Sequence, residues 1–261
     1  MNRRAALALP TLLLARKAEA AVEWRGTPSQ GALLIGRGAA GARVALDGQA
    51  LRVSPEGHFA FGFGRDHAAR ATLTVNSVPQ SIGVARREWD VQSITGLPPA
   101  QVTPDAAALE RIRMERERLA TVRGIDTARV DFAGGFAWPA RGRISGVFGS
   151  QRVLNGQPRQ PHFGLDVAGP VGTPILAAAS GKVTLAADFH FFGKLMVLDH
   201  GHGVNTLYAH LSAMDLREGD EVQQGMRIGA MGATGRVTGP HLHFSLSWYR
   251  VWLDPQPLLP G

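Results

Sequence analysis

The side chains best suited to chemistry in this chain are histidines set at strand spacing, with an aspartate beside one of them. In the stretch from Thr238 to Leu246, Thr-Gly-Pro-His-Leu-His-Phe-Ser-Leu, strand alternation sends His241 and His243 to one face, roughly 7 Å apart along it. Phe244 and Leu246 then point to the other face, which must be the covered one. Two imidazoles side by side on an exposed sheet face serve a core badly and a metal well. A second stretch, His162-Phe-Gly-Leu-Asp166, pairs a nitrogen ligand with a carboxylate in a Gly- and Pro-rich loop that passes into a strand. Two histidines and one aspartate give three protein ligands and leave one position for water, the open arrangement of a catalytic zinc. His200-Gly-His202 repeats the His-x-His spacing, but Asp199, Gly201 and Gly203 around it read as a hairpin turn and not as a metal site. His58 and His67 lack a carboxylate at ligand spacing and read as surface residues. His190, beside Phe191-Phe192-Gly193, reads as a loop tip.

The order His162-x-x-x-Asp166, Tyr208-Ala-His210-Leu-Ser, His241-x-His243 resembles the LytM/lysostaphin-type zinc endopeptidases, which cut the peptide part of bacterial peptidoglycan. The similarity runs from about Phe136 to Pro255. It includes Gly164-Leu-Asp-Val-Ala-Gly-Pro-Val-Gly-Thr-Pro, Asp199-His-Gly-His-Gly and Gly232-Ala-Thr-Gly-Arg-Val-Thr-Gly-Pro-His. The resemblance implies one Zn2+ per chain held by His162, Asp166 and His243. It also implies that His210 and His241 handle the proton of the attacking water, stabilise the oxyanion and protonate the leaving amine, without dividing these roles between them. A His-Glu-x-x-His helix, which supplies the glutamate base of many other metalloproteases, is absent from the sequence.

The elements that must position these residues fall into three regions. From 136 to 261 short strands joined by Gly-containing turns predict an all-β domain of antiparallel sheets, and the resemblance implies a two-sheet peptidase fold with a groove along one sheet. At period two, His210 is expected on the face of Tyr208, opposite Leu207, Ala209 and Leu211. Residues 21–88 alternate in short runs broken by Asp47-Gly48 and Pro55-Glu-Gly57, the pattern of a small antiparallel β-sandwich. Residues 89–135 read as a linker with one helix at about 104–122, with Thr103 as N-cap, Pro104 in the first turn and Arg111/Glu115 and Arg113/Glu117 as (i, i+4) pairs. Leu109, Ile112 and Leu119 make a narrow apolar stripe, interrupted by Arg116, on what is expected to be a solvated connecting helix; the segment is also a candidate lid for the groove. The whole is predicted to be mainly β.

Composition narrows the setting. Cysteine is absent from the 261 residues, which removes disulfides, thiolate ligands, a cysteine nucleophile and a lipid-bearing cysteine. Arg3-Arg4, an apolar run from Ala5 to Ala15 and Ala18-Glu-Ala20 describe a signal peptide over residues 1–20, so a secreted, periplasmic protein is expected. The apolar run is too short to span a membrane. Removing the leader's net +3 from the formal +7 leaves +4, an excess that suits an acidic polymer such as peptidoglycan. No Lys/Arg run is interleaved with aromatics, so nucleic acid is not expected as a partner. The N-terminal domain, which has no catalytic constellation, is expected to bind cell wall or divisome proteins.

Three functional classes remain. The first is a peptidoglycan endopeptidase, by analogy a D,D-endopeptidase of directly cross-linked stems, with glycine-bridge cleavage as the other specificity. The second is a catalytically silent wall-binding activator of other hydrolases, against which all five site positions are filled. The third is a carrier domain, because Leu216 to Gly229 resembles the half-motif of biotinyl and lipoyl domains. It fails for want of a lysine in the attachment context, since Lys182 and Lys194 are the only lysines of the domain.

Overall fold

The computed structural model describes residues 22–96 and 105–261. The signal-peptide reading, Thr103 and Pro104 lie outside them. Among the described residues the chain is mainly β, with one α-helix and two short 3-10 turns.

Two small antiparallel sheets form the N-terminal part. One joins Glu23–Arg25, Leu33–Arg37 and Phe59–Gly62; the other joins Val44–Leu46, Gln49–Leu51, Arg70–Val75 and Val78–Gly83. Asp47 and Gly48, both at positive φ, make the tight turn between Val44–Leu46 and Gln49–Leu51. Alternating apolar residues from both sheets, Leu34, Phe59 and Phe61 with Leu46, Leu73 and Ile82, are buried in one core. That core continues without a break into the C-terminal part through Leu253 and Leu259. Polar contacts fix the same junction: Arg87 Nη1 lies 2.8 Å from the buried carboxylate of Asp254, and Arg52 Nε lies 2.7 Å from Asp126. His58 and His67 are half-buried and not on the surface, because His58 sits in the turn closed by Ser54 and His67 stacks 4.8 Å from Phe63.

The C-terminal part is built on a ten-stranded antiparallel sheet whose centre is Gly193–Asp199, Val204–Met214, His241–Trp248 and Leu165–Ala168, hydrogen-bonded in that order. Its core side carries Leu165, Val167, Tyr208, Leu242, Phe244 and Leu246, all at most 1% exposed. Alternation therefore puts Asp166, His243 and Ser245 on the other side. That side is covered too. The helix Ala106–Arg123 lies on it, packing Leu119 and Val122 with Leu185, Val197, Leu207 and Ala209. Covering needs few apolar residues because the long arginines contribute: the buried guanidinium of Arg123 stacks 3.3 Å from the Trp252 ring centre and donates to Arg250 O.

The helix starts later than the sequence indicated. Asp105, not Thr103, is the N-cap, its carboxylate accepting from Ala108 N at 2.8 Å. Both expected ion pairs form, Arg111 with Glu115 and Arg113 with Glu117, each at 2.6 Å. Leu109 is exposed while Ile112 and Leu119 are buried. The linker also holds a strand that alternation did not indicate. Val91–Ile94 pairs in parallel with Gln151–Leu154, which in turn pairs with Gln157–Pro158. Trp89 anchors its start: the indole lies between the guanidinium groups of Arg65 and Arg87, 5.1 and 4.5 Å from them, and edge-on to Phe148. Only glycine fits beneath it, since a Cβ on Gly149 would lie 2.0 Å from the indole.

The His200–Gly203 turn joins the strands Gly193–Asp199 and Val204–Met214, and both of its histidines are buried. His200 Nδ1 donates to Ser180 O at 2.6 Å, and Nε2 lies 2.7 Å from Thr206 Oγ1. Thr206 continues to the Tyr208 hydroxyl, which accepts from Ala178 N. His202 packs against Phe132. Burial lowers the pKa of His200 from the ordinary 6.5, the bond to Ser180 opposing only in part. The native ring thus stays neutral where the unfolded one takes a proton, so its contribution is complete above about pH 6.5 and is lost as the pH falls below it. In urea denaturation, the stability gap between the wild type and His200→Gln should shrink below about pH 6.5 by up to about 1.4 kcal/mol per pH unit. A gap that does not change between pH 7.5 and 5.5 contradicts the neutral, proton-ordered ring.

Candidate metal centre

Three donor atoms converge on the helix side of the sheet. His162 Nε2 and Asp166 Oδ1 are 3.0 Å apart, His162 Nε2 and His243 Nδ1 3.0 Å, and His243 Nδ1 and Asp166 Oδ1 2.8 Å. All three residues are buried. Asp166 and His243 meet because they face each other directly across the antiparallel pair Leu165–Ala168 and His241–Trp248. His162 reaches them from the loop before Leu165, which is held by two backbone bonds of 2.8 Å, Gly149 N to His162 O and His162 N to Ser150 O. Glycine makes the approach feasible: a Cβ would stand 2.4 Å from Asp166 Oδ2 at Gly146 and 2.5 Å from His243 Cε1 at Gly164.

The proton inventory fits a cation. Val147 O can only accept, so at 3.0 Å it holds a ring proton of His162 on Nδ1 and turns Nε2, the nitrogen that can offer a lone pair to a cation, toward the Asp166 carboxylate. His243 Nε2 is bonded to Ser245 Oγ at 2.8 Å, so its ring carries at most one proton for two neighbours, Asp166 and His162. At least two lone pairs therefore meet in a site from which water is largely excluded. A single cation among the three satisfies all of them, and the outer atoms Val147 O and Ser245 Oγ orient the two imidazoles as metal ligands are commonly oriented. Burial works to raise the pKa of Asp166, but hydrogen bonds with His162 and His243 outweigh it and hold the group far below the usual carboxylate range. Burial lowers His243 to about 4, with Asp166 pulling the other way. Both directions leave an anionic carboxylate and a neutral imidazole, the forms that bind metal.

His210 and His241 stand beside this group with ring centres 4.8 Å apart. His210 Nδ1 donates to Thr234 O at 2.9 Å and His241 Nδ1 to Gly239 O at 2.8 Å, which leaves Nε2 of each ring as the nitrogen not tied to these carbonyls. His241 Nε2 is 3.8 Å from Asp166 Oδ1. Burial, then the neighbouring His243 and His241, lowers His210 to about 3. All five residues singled out in the sequence are thus together, whereas His200 and His202 lie in the turn described above.

The face assigned to His210 from its spacing is incorrect. Tyr208 is fully buried in the main core against Phe244, Leu211 is in that core too, and Leu207 and Ala209 share the helix side with His243. Strict alternation would put His210 in the core with Tyr208. Instead its φ is +63°, a left-handed conformation, and the pairing with the Gly193–Asp199 strand slips between Lys194 and Met196. This bulge turns His210 out to the site face. The site face is also not an exposed one, since the helix and the loop at Phe191–Phe192 enclose it.

The enclosure is a groove of about 760 Å³. One wall is the helix, from Leu109 to Arg123; the other is the segment Arg152 to Phe163, with Phe192 and Arg236 closing the end near His210 and His243. Ser245, Arg152 and Phe192 were not picked out from the sequence. Ser245 is legible in hindsight, two residues beyond His243 on a strand, whereas Arg152 reaches Asp166 Oδ2, 3.4 Å away, from a loop strand whose pairing is nonlocal.

Comparison with known proteins places the C-terminal domain. Residues 160–255 match the model of Peptidase family M23. The peptidoglycan DD-endopeptidase ShyA of Vibrio cholerae is 42% identical over 105 residues, which are 40% of this chain and 24% of that protein. The DD-carboxypeptidase/endopeptidase Mpg of Neisseria meningitidis is 42% identical over 118 residues, 45% of this chain and 26% of that one. The chain therefore spans about a quarter of the length of these relatives. A Pseudomonas aeruginosa crystal structure assigned to peptidase M23 superposes with a TM-score of 0.67 at 26% identity, covering 89% of this chain and 95% of that one. The N-terminal sheets and the helix are thus part of the shared arrangement. Residues 160–255 thus form a domain of the Peptidase family M23 type.

Proposed function

We propose that the protein is a zinc-dependent endopeptidase that hydrolyses the peptide cross-links of bacterial peptidoglycan, acting outside the cytoplasm as a D,D-endopeptidase on directly cross-linked stems. The observation that carries this reading is the convergence of His162, Asp166 and His243 within 3.0 Å of one another, with the imidazoles of His210 and His241 beside them. The names of the relatives supply the substrate and the bond.

His162 Nε2, Asp166 Oδ1 and His243 Nδ1 would hold the ion. When bound, zinc supplies Lewis-acid chemistry, polarising a carbonyl and lowering the pKa of water toward ~7. The one carboxylate in the set leaves net positive charge at the site, which favours an anionic oxygen there. His210 and His241 do the proton work. Each has its Nδ1 proton tied to a backbone carbonyl, so each can take a proton only at Nε2, on the groove side. One imidazole accepts the proton of the attacking water and returns it to the leaving amine. The other, in its imidazolium form with a second proton on Nε2, donates to the carbonyl oxygen and steadies the charge that develops there. The groove between helix and loop accepts an extended peptide, and its aromatic end at Phe192 excludes bulk water from the reacting atoms.

A silent wall-binding module would require a lost ligand or a plugged groove. The ligand set is complete, and the helix forms one wall of an open volume.

Purified sacculi test the proposal. The metal-replete protein should release un-cross-linked stems from dimeric muropeptides, identified by mass spectrometry. His210→Ala and His241→Ala should each retain metal and fold yet lose about 10²–10⁴-fold in rate. Intact cross-links after digestion with active, metal-replete protein would refute the assignment, and near wild-type rates in either variant would remove that histidine from the mechanism.

A further inference from the structure

The helix Ala106–Arg123 turns one stripe of side chains to the groove: Leu109, Ile112, Arg116, Leu119 and Arg123 recur at helical spacing and all line it. Part of this stripe serves the fold. Leu119 packs with Ala209, the residue directly across the ladder from His243. Arg123 stacks on Trp252, and Ile112 is buried. Leu109, 53% exposed, and the exposed Arg116 do not. From Leu109 to Arg123 the wall runs about 21 Å, the length of about six residues of extended peptide.

Arg116 differs from the other arginines of the helix. Arg111 pairs with Glu115, Arg113 with Glu110 and Glu117, and Arg118 with Glu218, each at 2.6 Å. Arg123 donates to Arg250 O. Arg116 makes no ion pair or hydrogen bond with any described residue. The reason is local: its neighbours three and four positions away are Ile112, Arg113, Leu119 and Ala120, none of them acidic, so the helix offers it no partner. Its place is nevertheless fixed. Glu115, the residue before it, accepts from Arg111 through Oε1 and from His190 N through Oε2 at 2.8 Å. That second bond ties this turn of the helix to the loop carrying Phe191 and Phe192, beside His210 and His243 in the groove lining. Arg116 is thereby held in the wall at the end of the groove that carries the metal-ligand group.

A guanidinium with all its donors open in a groove suits an anionic ligand, and its fork matches a planar carboxylate in two parallel bonds. We propose that Arg116 is a specificity residue, binding a free carboxylate of the cross-linked peptide as the peptide lies along the helix wall. The proposal rests on the endopeptidase reading above and deepens it: stems with a free carboxylate at this position are preferred over amidated ones. The helix lies outside residues 160–255, so this selectivity comes from the segment that precedes the family domain and not from the domain itself. Two groups of such a peptide can supply the carboxylate, the C-terminus of a stem and a side-chain carboxyl.

The test uses three synthetic cross-linked peptides: the fully acidic parent, one amidated at the stem terminus and one amidated at the side-chain carboxyl. For the metal-replete wild type, kcat/KM should fall about three- to tenfold for the peptide that lacks the recognised carboxylate, and which amide does so identifies the source. Arg116→Gln should bring that parent-to-amide ratio to about one by slowing the parent and not the amide, and Arg116→Glu should turn it below one. An exposed side chain without partners can be replaced with the fold kept. Arg118→Gln, which removes the same charge from the helix but outside the groove lining, should keep the wild-type ratio. Calorimetric binding of the same peptides with a reduced, uncleavable scissile bond gives a readout that does not depend on turnover, and the same pattern should appear there. A wild-type ratio retained in Arg116→Gln, or lowered equally in Arg118→Gln, overturns the assignment and leaves the endopeptidase reading standing. Peptides that are never cut, yet bind with a carboxylate preference that Arg116→Gln abolishes, support the assignment and remove the endopeptidase reading instead.

Discussion

The structure depends on one constraint, that a carboxylate and two imidazole nitrogens be kept within 3.0 Å of each other where little water reaches them. Left alone, such a group is electrostatically awkward, with more lone pairs than protons. It persists because each member is over-determined. Asp166 and His243 are locked opposite each other by the ladder between Leu165–Ala168 and His241–Trp248, with a core of fully buried apolar side chains directly beneath. His162 comes from a loop and needs more support. Val147 O holds its ring, while Gly149 and Ser150 hold its backbone.

That support extends to the N-terminal part. Arg65 Nε donates to Gly149 O at 2.8 Å, and Trp89, between Arg65 and Arg87, packs on Phe148 and Gly149. The region that carries no catalytic constellation thus braces the loop that delivers His162, through a core shared with the peptidase domain. The helix makes the opposite contribution. It encloses the site face and sets the width of the groove while resting on a thin apolar stripe and a stacked arginine, contacts that tolerate adjustment more readily than the sheet does.

Much of this was readable from residue order. The metal group is legible because two of its members lie on strands with unbroken alternation and the third sits four residues before Asp166. The hairpin at Asp47-Gly48 and the helix ion pairs are local, and local rules found them. What the sequence hid is nonlocal or conformational. No residue type announces that His210, a non-glycine residue, takes φ +63° and reverses its face. The parallel pairing of Val91–Ile94 with Gln151–Leu154 joins segments about 60 residues apart, beyond the reach of a pattern argument. The covering of the histidine face by the helix was missed because that cover is made partly of arginine stems and a cation–π stack, which read as polar.

The central claim is that His162 Nε2, Asp166 Oδ1 and His243 Nδ1 are the protein ligands of one zinc ion. Anomalous diffraction across the zinc absorption edge, on crystals of protein purified without chelators, tests it most directly. The account predicts about one zinc per chain, seen as a single peak bonded to those three atoms at roughly 2.0–2.2 Å, with His210 and His241 outside bonding distance. A peak at His200 and His202, bonding by His241 in place of His243, or protein without zinc at the three-residue group would contradict it.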